Sequence, residues 1–201
     1  MLYVDGIWQP GYVIKSLIKI SLFLAAPILL SLCFEDIKLW GLFKPSKKGI
    51  GVALLCGVGI YIIIMAAYLI VSRFADFTQI AEKLTASTGV SRANFIYVSL
   101  YISFVNSLLE EFFFRGFVYY SLRDSDPKFA AIFSCLSFSA YHTAMMAGWF
   151  PLWVFLLALL GLAIGGGIFI WLNRRQENIY TSWLTHMFCN FAINTVGFML
   201  L

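Results

Sequence analysis

The stretch VNSLLEEFFFRGFVYY, residues 105–120, decides how this chain folds. Its leucines and aromatic residues are typical of the interior of an apolar helix. Yet it carries two adjacent carboxylates, Glu110 and Glu111, and Arg115 four positions after the second. On insertion scales a charge at the centre of a bilayer costs about 2.5–3.5 kcal/mol. An explanation of the fold must therefore account for the apolar background and for the charges placed within it.

The composition of the whole chain indicates a membrane protein. Hydrophobic residues make up 61% of the 201 positions, and only 12% of the positions are charged, whereas a soluble domain has about a quarter charged residues. The net charge is +4, and most of the lysines and arginines lie in short loops between apolar segments. This distribution fits membrane anchoring and excludes a nucleic-acid-binding surface, which would cluster basic residues on one polar face.

Six stretches are long and apolar enough for a helix that crosses a bilayer, which needs about 20 residues. Because backbone polar groups in lipid must be satisfied within the segment, these stretches are predicted to be helices. The predicted fold is therefore all-α, a polytopic transmembrane bundle of about six spans. The spans are predicted at residues 12–34, 49–72, 94–122, 129–147, 150–172 and 179–201.

The spans divide into two predicted regions. Residues 1–93 hold the first two spans and a connector, and residues 94–201 form the core that contains the polar motifs. The connector, residues 73–93, is predicted either as an amphipathic helix on the membrane surface or as a plain polar linker. Lysine and arginine counts in the loops favour both termini lying outside the cytoplasm.

Helical spacing separates the charged residues of the opening stretch. Residues four apart share a helix face, which predicts an ion pair between Glu111 and Arg115 and places Glu110 beside Asn106, free of that pair. Along the last predicted span, polar residues recur every four positions and form a stripe on one face. In the fourth predicted span, an aromatic residue lies one turn before the histidine. These residues are Ser182, His186, Asn190 and Asn194 in the stripe, and Phe138 and His142 in the fourth span.

Taken singly, each of these groups has a structural interpretation: a buried pair, a core histidine or an interhelical amide. Together on three spans they favour a functional centre, because ionisable groups within the membrane are functional by default. A carboxylate beside histidines can activate water, and imidazole and amide donors can stabilise an oxyanion. A zinc site is a second possibility, with Glu110, His142 and His186 as the candidate ligands, and the need for a metal stays open.

Three short motifs, in order, resemble those of a known family. EEFFFR at 110–115 fits EExxxR, FSAYH at 138–142 fits FxxxH, and HMFCN at 186–190 fits HxxxN. The half of the chain from 110 to 201 therefore resembles the CPBP family of intramembrane proteases. That family includes the type II CAAX prenyl endopeptidases and the Abi-like bacterial proteins linked to bacteriocin processing and immunity.

The resemblance implies a role for each matched residue. Glu110 is expected to be the general base, with His142 helping to hold the water, and His186 with Asn190 to form the oxyanion site. Glu111, Arg115 and Phe138 are expected to support that site. The family has been described both as metal-dependent and as a glutamate protease. The compact length resembles the bacterial branch, and the additional spans of prenyl-protease relatives are missing.

The function expected from this sequence is an intramembrane endopeptidase, multi-pass in the cell membrane, that cleaves a membrane-associated peptide or protein. One alternative is a non-catalytic scaffold or bacteriocin-immunity protein, in which the polar cluster only holds helices together. Another is a small proton-coupled transporter. Transporters often contain inverted repeats, and the polar residues here all lie in the second half.

Overall fold

The computed structural model describes residues 1–34, 37, 39–44, 47–77 and 90–201. Within those ranges the chain is helical and contains no strand. A short π-helical turn, Val4–Trp8, precedes the first long helix, and a 3₁₀ turn, Trp40–Leu42, precedes the second. The long helices are α1 (Tyr12–Cys33), α2 (Lys47–Val71), α3 (Phe95–Leu122), α4 (Pro127–Met146), α5 (Leu152–Gln176) and α6 (Tyr180–Leu200).

Helices α1 to α5 are all long and apolar enough to cross a membrane, so the predicted all-α membrane bundle is confirmed. The last predicted span forms α6, a helix of 21 residues. Its polar stripe lowers its hydropathy and leaves it outside this group of five. Residues 78–89, most of the predicted connector, lie outside the described residues.

The helix boundaries follow local chemistry. Asp126 caps α4, because its side chain accepts hydrogen bonds from the backbone N–H groups of Lys128 and Phe129 at 2.9 and 3.0 Å. Helix α5 continues past its predicted end to include Arg174 and Arg175 in its last turn. Arginine is a good helix former and is favoured at helix C-termini, so these residues extend the helix where a loop was expected.

Small residues on α2 allow its close contact with α6. Gly49, Ala53 and Gly57 are the buried positions of α2, and they recur every four residues. A Cβ atom built at Gly57 would lie 2.5 Å from a ring carbon of Phe188 on α6. This stripe of small residues lets the two backbones approach, as in other membrane helix pairs.

Helix α5 carries glycines at 161, 165, 166 and 167, and small residues four apart, such as Gly161 and Gly165, let helices approach closely. The structure leaves open space around both, and the close contact is made by Gly166. A Cβ there would lie 3.0 Å from Nη2 of Arg115 and 3.3 Å from the Cα of Cys135 on α4. The spacing of these glycines does not specify which side of α5 meets α4.

The core beside the site is aromatic. Phe23 of α1, Leu109 and Phe114 of α3 and Phe138 of α4 form one buried cluster. The Phe23 and Phe114 rings are 5.5 Å apart, and the Phe114 and Phe138 rings 5.3 Å apart, in edge-to-face geometry. This cluster fixes α1, α3 and α4 relative to one another, and so determines which polar side chains can meet.

Candidate active site

Helix α3 places its two glutamates in different surroundings. Glu110 is 2% exposed and lies one turn after Asn106, whose Nδ2 donates a hydrogen bond to Glu110 Oε1 at 2.9 Å. The helix has wider π-helical turns over Tyr101–Asn106 and Glu111–Tyr119, on either side of the regular segment that contains Glu110. Such turns are frequent at functional sites because they redirect side chains.

The predicted ion pair between Glu111 and Arg115 is formed. Arg115 Nη1 lies 3.1 Å from Glu111 Oε1, and both side chains are fully buried. The guanidinium carbon is also 4.1 Å from the ring centroid of Phe138 and 5.0 Å from that of Phe169. The salt bridge and the cation–π contacts offset part of the cost of removing this charge from water. Among the described residues, the guanidinium nitrogens find no hydrogen-bond partner.

The polar stripe of α6 runs antiparallel along α3. His186 Nδ1 lies 3.0 Å from Glu111 Oε1, and the next two members of the stripe hydrogen-bond further towards the start of α3. Asn190 Nδ2 donates to the backbone oxygen of Ile102 at 3.0 Å, and Asn194 Nδ2 donates to Ser103 Oγ at 3.0 Å. Ser182, the first member, is buried and its hydroxyl donates to the backbone oxygen of Ile179 at 3.2 Å.

Helix α4 supplies His142 from the other side. Its Nδ1 lies 2.7 Å from the backbone oxygen of Phe138, one turn earlier. A carbonyl oxygen can only accept, so Nδ1 carries the proton and Nε2 of the neutral ring is an acceptor. The Phe138 ring, 4.7 Å from the imidazole, holds it edge-to-face.

Both histidines present Nε2 to the same oxygen. His142 Nε2 is 3.9 Å and His186 Nε2 is 3.7 Å from Glu110 Oε2. These distances are too long for direct hydrogen bonds, and a contact between polar groups at such a separation can be bridged by one water molecule. The structure therefore brings Glu110, His142 and His186 together, whereas Asn190 binds the backbone of α3 at Ile102, about two turns before Glu110.

The sequence reasoning missed Lys19. This side chain on α1 is 4% exposed, and its Nζ lies 2.5 Å from Glu110 Oε1 and also donates to Asn106 Oδ1. Glu110 is therefore not free of a charged partner, as helical spacing alone had suggested. A lysine inside an apolar span was the available signal, since such a charge needs a buried partner.

The alternative of a zinc site, which the sequence leaves open, can be tested against this geometry. Zinc binds histidine and carboxylate ligands tetrahedrally at about 2.0–2.2 Å, which separates ligand atoms by about 3.4 Å. The separations here are 3.7 and 3.9 Å, and the Lys19 ammonium already neutralises the same carboxylate. Across the described part of the chain, no group of three or more His, Cys, Asp or Glu residues has metal-binding geometry. These residues do not fit a zinc ion.

Comparison with known proteins gives one match. A family model described as type II CAAX prenyl endopeptidase Rce1-like matches residues 92–192. That segment contains all of the motif residues on α3, α4 and α6, and it excludes α1. No curated protein and no solved structure matches the chain.

Proposed function

The chain belongs to the Rce1-like type II CAAX prenyl endopeptidase family, and we propose that it is an intramembrane endopeptidase in which Glu110 activates water. The observation that supports this most directly is the approach of two imidazole Nε2 atoms to Glu110 Oε2, at 3.7 and 3.9 Å. The protein is a membrane protein, and we propose that it is multi-pass in the cell membrane.

The hydrogen-bonding character of Glu110 Oε2 and His142 Nε2 favours a water between them. Glu110 Oε2 is an acceptor, and so is Nε2 of a neutral His142, whose Nδ1 faces a carbonyl oxygen at 2.7 Å. Converging acceptors need a donor between them, and water offers two O–H groups. One O–H would point at Glu110 and the other at His142, which would direct the oxygen lone pair towards a substrate carbonyl.

The reaction then follows from these positions. Glu110 Oε2 takes a proton from the water as its oxygen bonds to the carbonyl carbon of the scissile peptide. The carbonyl electron pair moves onto oxygen to give a tetrahedral oxyanion. When that intermediate collapses, the C–N bond breaks and the leaving nitrogen takes the proton from Glu110. The carboxylate is regenerated, and the products are an amine and a new carboxyl terminus.

His186 is suited to stabilise the oxyanion when both of its nitrogens are protonated. Glu111 Oε1, 3.0 Å from Nδ1, would accept one N–H. The other N–H would then donate to the oxyanion. The Asn190 amide has two donors. One of them reaches Ile102 O at 3.0 Å, and we assign the second to the oxyanion.

The substrate class that we propose is a membrane-associated peptide or protein. The family description names CAAX prenyl endopeptidases, so a prenylated tail is one specific candidate. Two internally quenched peptides of the same CAAX sequence, one farnesylated and one not, would separate recognition of the lipid from recognition of the peptide.

The central test is Glu110→Gln, which preserves shape and one acceptor oxygen but removes the base. Asp124→Asn is the control, because Asp124 is an exposed acid outside the site. Membrane proteomes of a deletion strain and a Glu110→Gln strain should contain the same uncleaved protein, while Asp124→Asn should match wild type.

With purified enzyme, Glu110→Gln should cleave the quenched peptides at least about 100-fold more slowly than wild type, the contribution expected of a general base. Full peptidase activity in the folded variant would overturn the mechanism. Complementation of the deletion strain by a Glu110→Gln, His186→Ala variant would favour the scaffold function instead.

A further inference from the structure

Lys19 lies outside the segment that matches the family. It belongs to α1, whereas the matched residues begin at 92. Its ammonium is almost fully withdrawn from solvent, with 4% of the residue exposed. Burying a lysine is costly unless the charge is paired and hydrogen-bonded, so the contacts of Nζ indicate what this residue does in the fold.

Those contacts form a closed group of three side chains. Lys19 Nζ lies 2.5 Å from Glu110 Oε1 and donates to Asn106 Oδ1 as well. Asn106 Nδ2 donates in turn to the same Glu110 oxygen at 2.9 Å. Two donors therefore bind Oε1. These contacts also define the orientation of the Asn106 amide, because its oxygen faces the ammonium and its nitrogen faces the carboxylate.

Aromatic rings complete the surroundings of the ammonium. The centroid of the Tyr141 ring lies 4.8 Å from Nζ, and that of Phe23, one turn later on α1, lies 5.3 Å away. Cation–π contacts of this kind are stronger when water is excluded. The Lys19 head group is therefore held between Glu110 of α3 and Tyr141 of α4.

We propose that Lys19 is a positioning residue for the peptidase reaction: it binds Oε1 of Glu110 and so directs Oε2 towards His142 and His186. This inference rests on the proposed function. The ammonium also balances the carboxylate charge, which lets the base stay in a low-dielectric site without a metal. The two acids of the motif are then neutralised by separate cations, Lys19 for Glu110 and Arg115 for Glu111.

A purely structural lysine would hold α1 against α3 but would have no effect on the base once the protein was folded. Three replacements separate these roles. Lys19→Met removes the charge and the hydrogen bonds, Lys19→Gln keeps a donor and is the variant expected to fold if Met is not tolerated, and Lys19→Arg keeps the charge. Lys15→Met is the matched control, because Lys15 is one turn earlier and contacts Asp5 at 3.6 Å instead.

The first measurement is turnover of whichever quenched peptide wild type cleaves. We expect kcat to fall at least about 100-fold in Lys19→Met and Lys19→Gln, as for loss of an oriented base. We expect KM to stay within about twofold, because Lys19 does not face the substrate. Lys19→Arg should regain part of kcat, and Lys15→Met should match wild type. Wild-type kcat in folded Lys19→Met or Lys19→Gln would overturn the proposal.

The second measurement does not depend on activity. Infrared difference spectra between wild type and Glu110→Gln identify the bands of the Glu110 carboxylate. In Lys19→Met and Lys19→Gln these bands should shift, because Oε1 has lost its ammonium, and in Lys15→Met they should not move. Unchanged bands in both Lys19 variants would refute the contact. If wild type cleaves neither peptide and Glu110→Gln restores the deletion strain, the proposed function fails, while the infrared spectra still decide whether Lys19 binds Glu110.

Discussion

The fully buried Glu111–Arg115 pair provides the sharpest energetic test of this structure. The charged atoms are 3.1 Å apart, and neither side chain is exposed. At an effective dielectric constant of about 20, two unit charges at that distance attract by about 5 kcal/mol. Removing one partner of a buried pair costs about 3–5 kcal/mol, because the other charge is left uncompensated.

The two single variants should differ for a structural reason. In Glu111→Gln the guanidinium keeps the amide oxygen and the Phe138 ring at 4.1 Å, which reduces the expected loss of unfolding free energy to about 3 kcal/mol. In Arg115→Met the carboxylate keeps only the His186 contact at 3.0 Å, and we expect a loss of about 4 kcal/mol. The double variant buries no unpaired charge and should lose about 2 kcal/mol, which gives a coupling energy of about 5 kcal/mol.

The assay is reversible unfolding in mixed detergent micelles, followed by tryptophan fluorescence across the four proteins of the cycle. Arg123 and Asp124 provide the matched control, because their charged atoms are 3.2 Å apart but their side chains are 42% and 86% exposed. A cycle on that pair should give a coupling energy of less than about 1 kcal/mol. Equal coupling for the two pairs would refute the reasoning, since the distances are nearly the same and the two pairs differ most in burial.

Two further predictions concern helix packing and metal. Gly57→Leu should destabilise the bundle by about 1–3 kcal/mol in the same unfolding assay, because an added Cβ would meet Phe188 at 2.5 Å, whereas Gly59→Leu, with open space around it, should change stability little. Equal effects of the two replacements would argue against the α2–α6 contact. Treatment with a zinc chelator should leave peptide cleavage within about twofold of the untreated rate, because Lys19 already balances Glu110. Chelator inhibition that added zinc reverses would contradict the metal-free proposal.

Local spacing predicted the parts of the site that lie within one helix. The pairs Glu111–Arg115 and Asn106–Glu110 are each four residues apart, and both form, at 3.1 and 2.9 Å. Such neighbours are set by the helical repeat and need no knowledge of the tertiary fold. The polar stripe of α6 was also visible from its period, because one face of a helix is defined by sequence alone.

The contacts between helices were less accessible to sequence reasoning. Lys19 and Glu110 are 91 positions apart, and nothing in the spacing of α1 says which of its faces meets α3. That orientation is fixed by the packing of Phe23 against Phe114 and Phe138. The same limit explains α5, where the glycine period identified the helix but Gly166 makes the contact. The free-energy cost of placing a lysine inside the membrane was a usable signal, because a buried charge needs a partner. That cost does not specify which residue the partner is.

The two adjacent glutamates differ in which helix supplies the cation that neutralises each of them. Arg115 neutralises Glu111 from the same helix, so that pair can form wherever α3 is helical. Glu110 receives its cation from α1, so its charge is balanced only when α1 has packed against the core. If both acids were paired within α3, neither would depend on tertiary structure for its charge balance. With Lys19 on a separate helix, the orientation of the proposed base becomes a consequence of bundle assembly, and residues outside the matched family segment become part of the site.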